Sequence, residues 1–197
     1  MQRKTVAVRN LLIGLLALGL SGCAAVVVGG ATTGVAVAHD RRTAGTVVED
    51  QEIQWRAMGM RRDDRELAEK SDVSIEVFNL QVLLTGQAEN MEIVEAFAQR
   101  VATIPRVRNV FNEVSVGAQS TFSESTADAW LTSRVKTAMF GMGIEGFDPT
   151  RVTVTSSQGS VFLMGLLTPT EADAVVEKVR FVSGVKRVVK LFEYLDE

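Results

Sequence analysis

The chain has 197 residues, 46% hydrophobic and 23% charged, with a net charge of −3, one cysteine and one histidine. That length suits one medium domain or two small ones. A single cysteine excludes an intramolecular disulfide, the negative balance disfavours a protein that binds nucleic acid over its whole surface, and the lone His39 builds neither a metal site nor a catalytic triad by itself.

Residues 1–22 read as a secretion signal peptide. Arg3, Lys4 and Arg9 supply the positive end and Leu11 to Leu20 the apolar run, which falls short of the ~20 residues that span a bilayer. Leu20-Ser21-Gly22-Cys23 then resembles a lipobox. The resemblance implies cleavage before Cys23, a diacylglyceryl thioether on its sulfur and acylation of the new amino group; a buried free thiol or an uncleaved anchor are the other readings of this segment. Ala24 stands where an aspartate would be the inner-membrane retention signal, which favours the outer membrane. Several acyl chains hold firmly, because each buried CH₂ contributes ~0.8 kcal/mol. Loss of residues 1–22 removes three basic residues and no acidic one, taking the net charge from −3 to −6.

Residues 23–45 read as the lipidated N-terminus and tether. They run through uncharged Ala, Val, Gly and Thr to about Ala38, with Gly29, Gly30 and Gly34 opposing helix. Gly30 and Gly34 also have the spacing of small-residue packing in membranes, although the segment is short and weakly apolar.

From Thr46 the chain repeats itself. Val73–Val77 leading to Val82–Gly86 matches Val152–Ser156 leading to Val161–Gly165; each pair alternates with period two and reads as a β-hairpin, turning at Phe78–Gln81 and Ser157–Ser160. Gly86 and Gly165 are expected to end the second strand through a positive φ or a close backbone approach. A helix follows in each copy, on Val94, Phe97, Ala98 and Val101 and on Ala172, Val175, Val176 and Val179. Thr168-Pro169-Thr170-Glu171 carries the capping signals of the second one. Val107–Val114 and Val185–Phe192 close the copies as final strands. A leading helix precedes each hairpin, aligning Ile53 and Ala57 with Leu131 and Val135, and a polar loop is expected after it, heavily charged at Arg61–Arg65 in the first copy.

The order helix, strand, strand, helix, strand, twice over, with the hairpin exits and the terminal Val185-Lys186-Arg187-Val188, resembles the BON domain family over about residues 40 to 195. The resemblance implies an α+β fold of two tandem αββαβ domains, each a three-stranded mixed sheet with two helices on one face. Domain one is placed at 46–117, a linker at 118–125 and domain two at 126–197; domains of ~70 residues bury little surface alone, so the copies are expected to pack on each other. Lipobox, tether and paired copies together look like the division- and outer-membrane stress-associated lipid-binding lipoproteins.

The chain lacks a Walker-type loop, a dinucleotide fingerprint and a Cys/His metal cluster, and Asp63-Asp64 reads as a solvated loop. The expectation is a protein that binds rather than catalyses, without cofactor, small-molecule substrate or nucleic acid. Residues 46–117 carry eight basic and thirteen acidic residues and 126–197 eight and nine, so the second copy is the better partner for an anionic surface. On its leading helix Trp130 and Arg134 fall on one flank, one turn apart, where a ring at headgroup depth and a guanidinium on phosphate make a lipid contact; Glu52 occupies the Trp130 position in the first copy. Trp130 filling the seam between the copies is the other reading. Lys136 lies on the opposite flank, and Lys186, Arg187 and Lys190 form a further basic set. The family resemblance implies binding of anionic phospholipid through the second domain and support of envelope integrity; an adaptor contacting the outer-membrane barrel-assembly machinery is the alternative.

Overall fold

Thr43 starts the first helix, its hydroxyl accepting from the Thr46 amide at 3.1 Å. In this computed structural model, which describes residues 40–144 and 146–195, that helix is α1 (Ala44–Asp63). The lipobox, Cys23 and His39 lie outside the described residues. The first copy continues with α2 (Arg65–Lys70), β1 (Ser74–Phe78), β2 (Gln81–Thr85), β3 (Gln87–Ala88), α3 (Met91–Ala102), β4 (Asn109–Asn112) and β5 (Ser115–Val116). The second has α4 (Phe122–Phe140), a 3₁₀ turn (Pro149–Arg151), β6 (Val152–Ser157), β7 (Ser160–Leu167), α5 (Pro169–Val179) and β8 (Arg187–Tyr194).

The two three-stranded sheets share one topology, and β3 pairs parallel with β5 in a separate two-stranded sheet. β1 pairs antiparallel with β2, which pairs parallel with β4; β6, β7 and β8 repeat that order. Both hairpins turn on two residues at positive φ, Asn79 (50°) and Leu80 (65°) in one and Gln158 (52°) and Gly159 (82°) in the other. Such turns match the right-handed twist of the strands they join.

Alternation sends each strand's side chains to opposite faces. Val77, Val82 and Leu84 meet Ile53, Ala57, Val94, Phe97 and Val101 of the helices; Val154, Val161 and Leu163 meet Leu131, Val135, Ala172, Val175 and Val179 in the same way. The other faces carry Phe78 and Leu83 in one sheet and Phe162 and Met164 in the other, and these pack together with Phe111, Val189 and Leu191. The copies are thus joined sheet to sheet with helices outermost. Burial at ~1.5–3 kcal/mol per large apolar side chain outweighs the seam's exposed ion pairs Arg108–Glu193 and Arg187–Glu113, each in the ~0–1 kcal/mol class.

Residues just ahead of α1 strap both copies. Arg41 donates to the Leu166 carbonyl at 3.1 Å and to both oxygens of Glu171 in the second copy. Arg42 pairs with Asp40 and Asp50 and stands 4.1 Å from the centroid of the Phe78 ring in the first.

Three expectations change. The charged run Arg61–Arg65 is no loop: it is the last turn of α1 and the start of α2, where the Asp64 carboxylate accepts from the Leu67 amide at 3.0 Å and Leu67 is fully buried. Gly165 does not end its strand, since β7 runs on to Leu167; its role is close approach, because a Cβ there would stand 2.9 Å from the Arg151 carbonyl oxygen. Gly86, in contrast, has φ +114° and would bring a Cβ to 2.7 Å from the Asp72 carbonyl oxygen. The segment expected as linker shortens, because α4 begins at Phe122 with Thr121 and Glu124 forming a capping box.

Candidate functional site

A cleft on the second copy lies between α4, the β6–β7 turn and the loop from α5 into β8, with a volume of about 570 Å³. Its position follows from the fold. Leu131, Val135 and Met139 seat α4 on its sheet, which leaves Trp130 outside, 67% exposed, and Arg134 one turn further along the same flank. From the other wall comes Lys186, whose amide donates to the Gly159 carbonyl at 2.8 Å and whose methylenes cover Gly159.

Two carboxylates also border the cleft, and both are engaged with backbone. Asp128 accepts from the amides of Gln158 at 3.0 Å and Gly159 at 3.4 Å, holding the hairpin turn. Glu124 accepts from the Thr121 amide and hydroxyl, both at 2.7 Å, and these bonds hold its carboxyl below the usual carboxylate range. Among the described residues no ion pair joins Arg134 or Lys186 to an acid, so the cations that face the cleft are available to an outside anion.

The structure therefore brings Trp130, Arg134 and Lys186 to one place and takes the other basic candidates elsewhere. Trp130 does not fill the seam, which Phe78, Leu83, Phe162 and Met164 occupy. Arg187 does belong to the seam, bonded to Glu113 at 3.1 Å and 5.7 Å from the Phe162 ring centroid. Lys136 lies outside the cleft, and its charge acts instead on Glu76 of the first copy, whose carboxyl burial pushes up while Lys136 and Arg42 act in the opposite direction. Lys190 is exposed on the edge strand β8, outside the cleft. Sequence reasoning did not find the turn Gln158-Gly159 as a wall of the site, nor Asp128 as its support. The signal was there, since Asp50 and Asp128 hold the same position in the two leading helices.

Among the described residues no group of three or more His, Cys, Asp or Glu is placed to hold a metal, and no helix is long and apolar enough to cross a membrane.

Comparison with known proteins agrees with this repeat structure. The BON domain family matches residues 61–118 and 127–196. The chain is 34% identical over 178 residues to the outer membrane lipoprotein DolP of Haemophilus influenzae, covering 90% of this chain and 91% of that protein. It is 32% identical over 156 residues to a 21 kDa hemolysin of Actinobacillus pleuropneumoniae, covering 79% of each. A solved structure of CdsD, a structural protein of the type III secretion system of Chlamydia trachomatis, covers 76% of this chain and 92% of its own at 12% identity and a TM-score of 0.30, too slight a likeness to extend anything to this chain. Paired αββαβ folds, a family match to each copy and an outer-membrane relative aligned along nearly the whole length make this chain a member of the BON domain family, an outer-membrane lipoprotein with two tandem copies.

Proposed function

We propose that the second BON domain binds anionic phospholipid headgroups at the cleft of Trp130, Arg134 and Lys186, with Cys23 carrying the acyl anchor and the domains facing the periplasm in support of envelope integrity. The observation that carries the reading is a tryptophan, 67% exposed, beside two cations that make no ion pair among the described residues, on the less acidic of the two copies. An indole settles at the depth of the headgroups, and each cation close to an anionic surface contributes ~1 kcal/mol.

Co-flotation of a soluble fragment spanning residues 40–197 with vesicles tests it, because that fragment lacks the anchor. Binding to phosphatidylglycerol vesicles and not to phosphatidylcholine vesicles is expected. Equal recovery with both, or none with either, overturns the headgroup reading. Mass spectrometry of the mature protein tests Cys23; an unmodified Cys23 overturns the anchor.

A further inference from the structure

Helix α1 is apolar on two opposite sides. Ile53 and Ala57 face the core, yet Trp55, Met58, Gly59 and Arg62 follow one another at i, i+3, i+4 and i+7 on the solvent side. Trp55 is 69% and Met58 52% exposed. Single exposed apolar residues are ordinary, but a helical stripe of them beside a concavity marks an interaction surface. Here the concavity is a groove of about 540 Å³ between α1 and Ala68 of α2. Gly59 lines it, and a Cβ built there would stand in open space, with nothing within 4 Å.

The groove is also cationic, with Arg61 and Arg62 both lining it. A guanidinium is well satisfied by a carboxylate. Arg62 has only the loose, exposed pair with Asp63 at 3.7 Å.

We infer that this groove on the first BON domain is a protein-docking site, taking a segment that presents an apolar side chain next to a carboxylate. A concave slot between two helices fits a protruding side chain rather than a flat bilayer, and the two guanidinium groups at its wall suit a carboxylate beside that side chain. The site is separate from the lipid cleft and does not depend on it.

Fluorescence anisotropy on the intact lipoprotein in detergent, with fluorescein-labelled peptides GSLFDGS and GSLFNGS as probes, tests the inference. The aspartate peptide is expected to bind about tenfold more tightly than its asparagine counterpart. Gly59→Leu, which fills the groove while improving helix propensity, should abolish binding without lowering the thermal midpoint. Arg61→Met should remove the preference for aspartate, and Trp130→Glu should leave peptide binding unchanged. Absence of binding by either peptide, equal affinity for both, or wild-type affinity in Gly59→Leu overturns the inference. So does loss of phosphatidylglycerol vesicle binding in Gly59→Leu, which would assign the groove to the membrane.

Discussion

Asp50, in the middle of α1, accepts from the backbone amides of Asn79 and Leu80, both at 2.7 Å. Leu80 sits at φ +65°, a conformation that side chains other than glycine's rarely take, and the carboxylate that grips its amide holds it there. Asp128 makes the same contact to Gln158 and Gly159 in the second copy, at 3.0 and 3.4 Å. There the turn has a glycine and needs less help. The first copy replaces a permissive residue by a buried charge, neutralised by Arg42 at 2.7 Å.

Asp50→Ala should therefore cost about 2–4 kcal/mol, because it releases a strained turn and strips Arg42 of a buried partner. Asp128→Ala should cost only about 0.5–1.5 kcal/mol. Urea unfolding followed by circular dichroism compares them; equal midpoints would show that the turn does not depend on its carboxylate.

Gly165→Val should destabilise by several kcal/mol, and more than Gly159→Ala, whose cost should be about 1 kcal/mol. The side chain at 165 would press on the Arg151 backbone, whereas at 159 it meets the flexible stem of Lys186, which can move aside. Differential scanning calorimetry of both variants measures the order.

The acid response has two opposed parts. Glu76 is pushed above the usual carboxylate range by burial, so the folded state holds its proton more tightly than the unfolded one, and this group alone makes stability rise as pH falls through its folded value. In Glu171, burial is outweighed by bonds from Arg41 and Thr168, which hold it below its ordinary value; its contribution is present above the unfolded value and lost as pH falls through the folded one. Glu76→Gln should thus stabilise at pH 7 and gain less at pH 5, while Arg41→Ala should weaken the protein at pH 7 and less so in strong acid, where its bond to the Leu166 carbonyl is what remains. Urea midpoints across pH 3–8 test both signs.

For the lipid cleft, Trp130→Glu and Arg134→Glu should each reduce recovery on phosphatidylglycerol vesicles several-fold without shifting the melting temperature, since both side chains are exposed. Added salt should weaken the wild-type interaction as screening shortens the reach of the cations. Arg187→Ala should instead leave vesicle binding unchanged, its guanidinium being committed to Glu113. Unfolding of Trp130→Glu would contradict the exposed position of the ring.

Much of each copy was legible because its elements bury apolar residues at their own period: Val94, Phe97 and Val101 at helical spacing, Val77 and Val82 across a hairpin. The seam was not, because Phe78 read as the start of the hairpin turn and Leu83 as one of the apolar run Val82-Leu83-Leu84, which does not say which face meets a helix and which another sheet. Helix α2 was hidden by its composition, as Arg65-Glu66-Leu67-Ala68-Glu69-Lys70 buries a single side chain. At the cleft, Trp130 and Arg134 were paired by the turn of one helix, but Lys186 joins them only through the crossover into β8, a proximity no local spacing encodes.

The strap ahead of α1 gives the molecule a defined load path. Arg41 grips the second copy and Arg42 the first, so tension arriving along the chain at Asp40 is divided between both domains before it reaches α1. To peel that helix from its sheet, a pull must first draw one guanidinium from between the Leu166 carbonyl and Glu171 and another from Asp50 and the Phe78 ring. The arrangement is that of a cable clamp: a pull on the chain at Asp40 tugs on the assembled pair as one body, and the hydrophobic seam, not a single helix end, bears the strain.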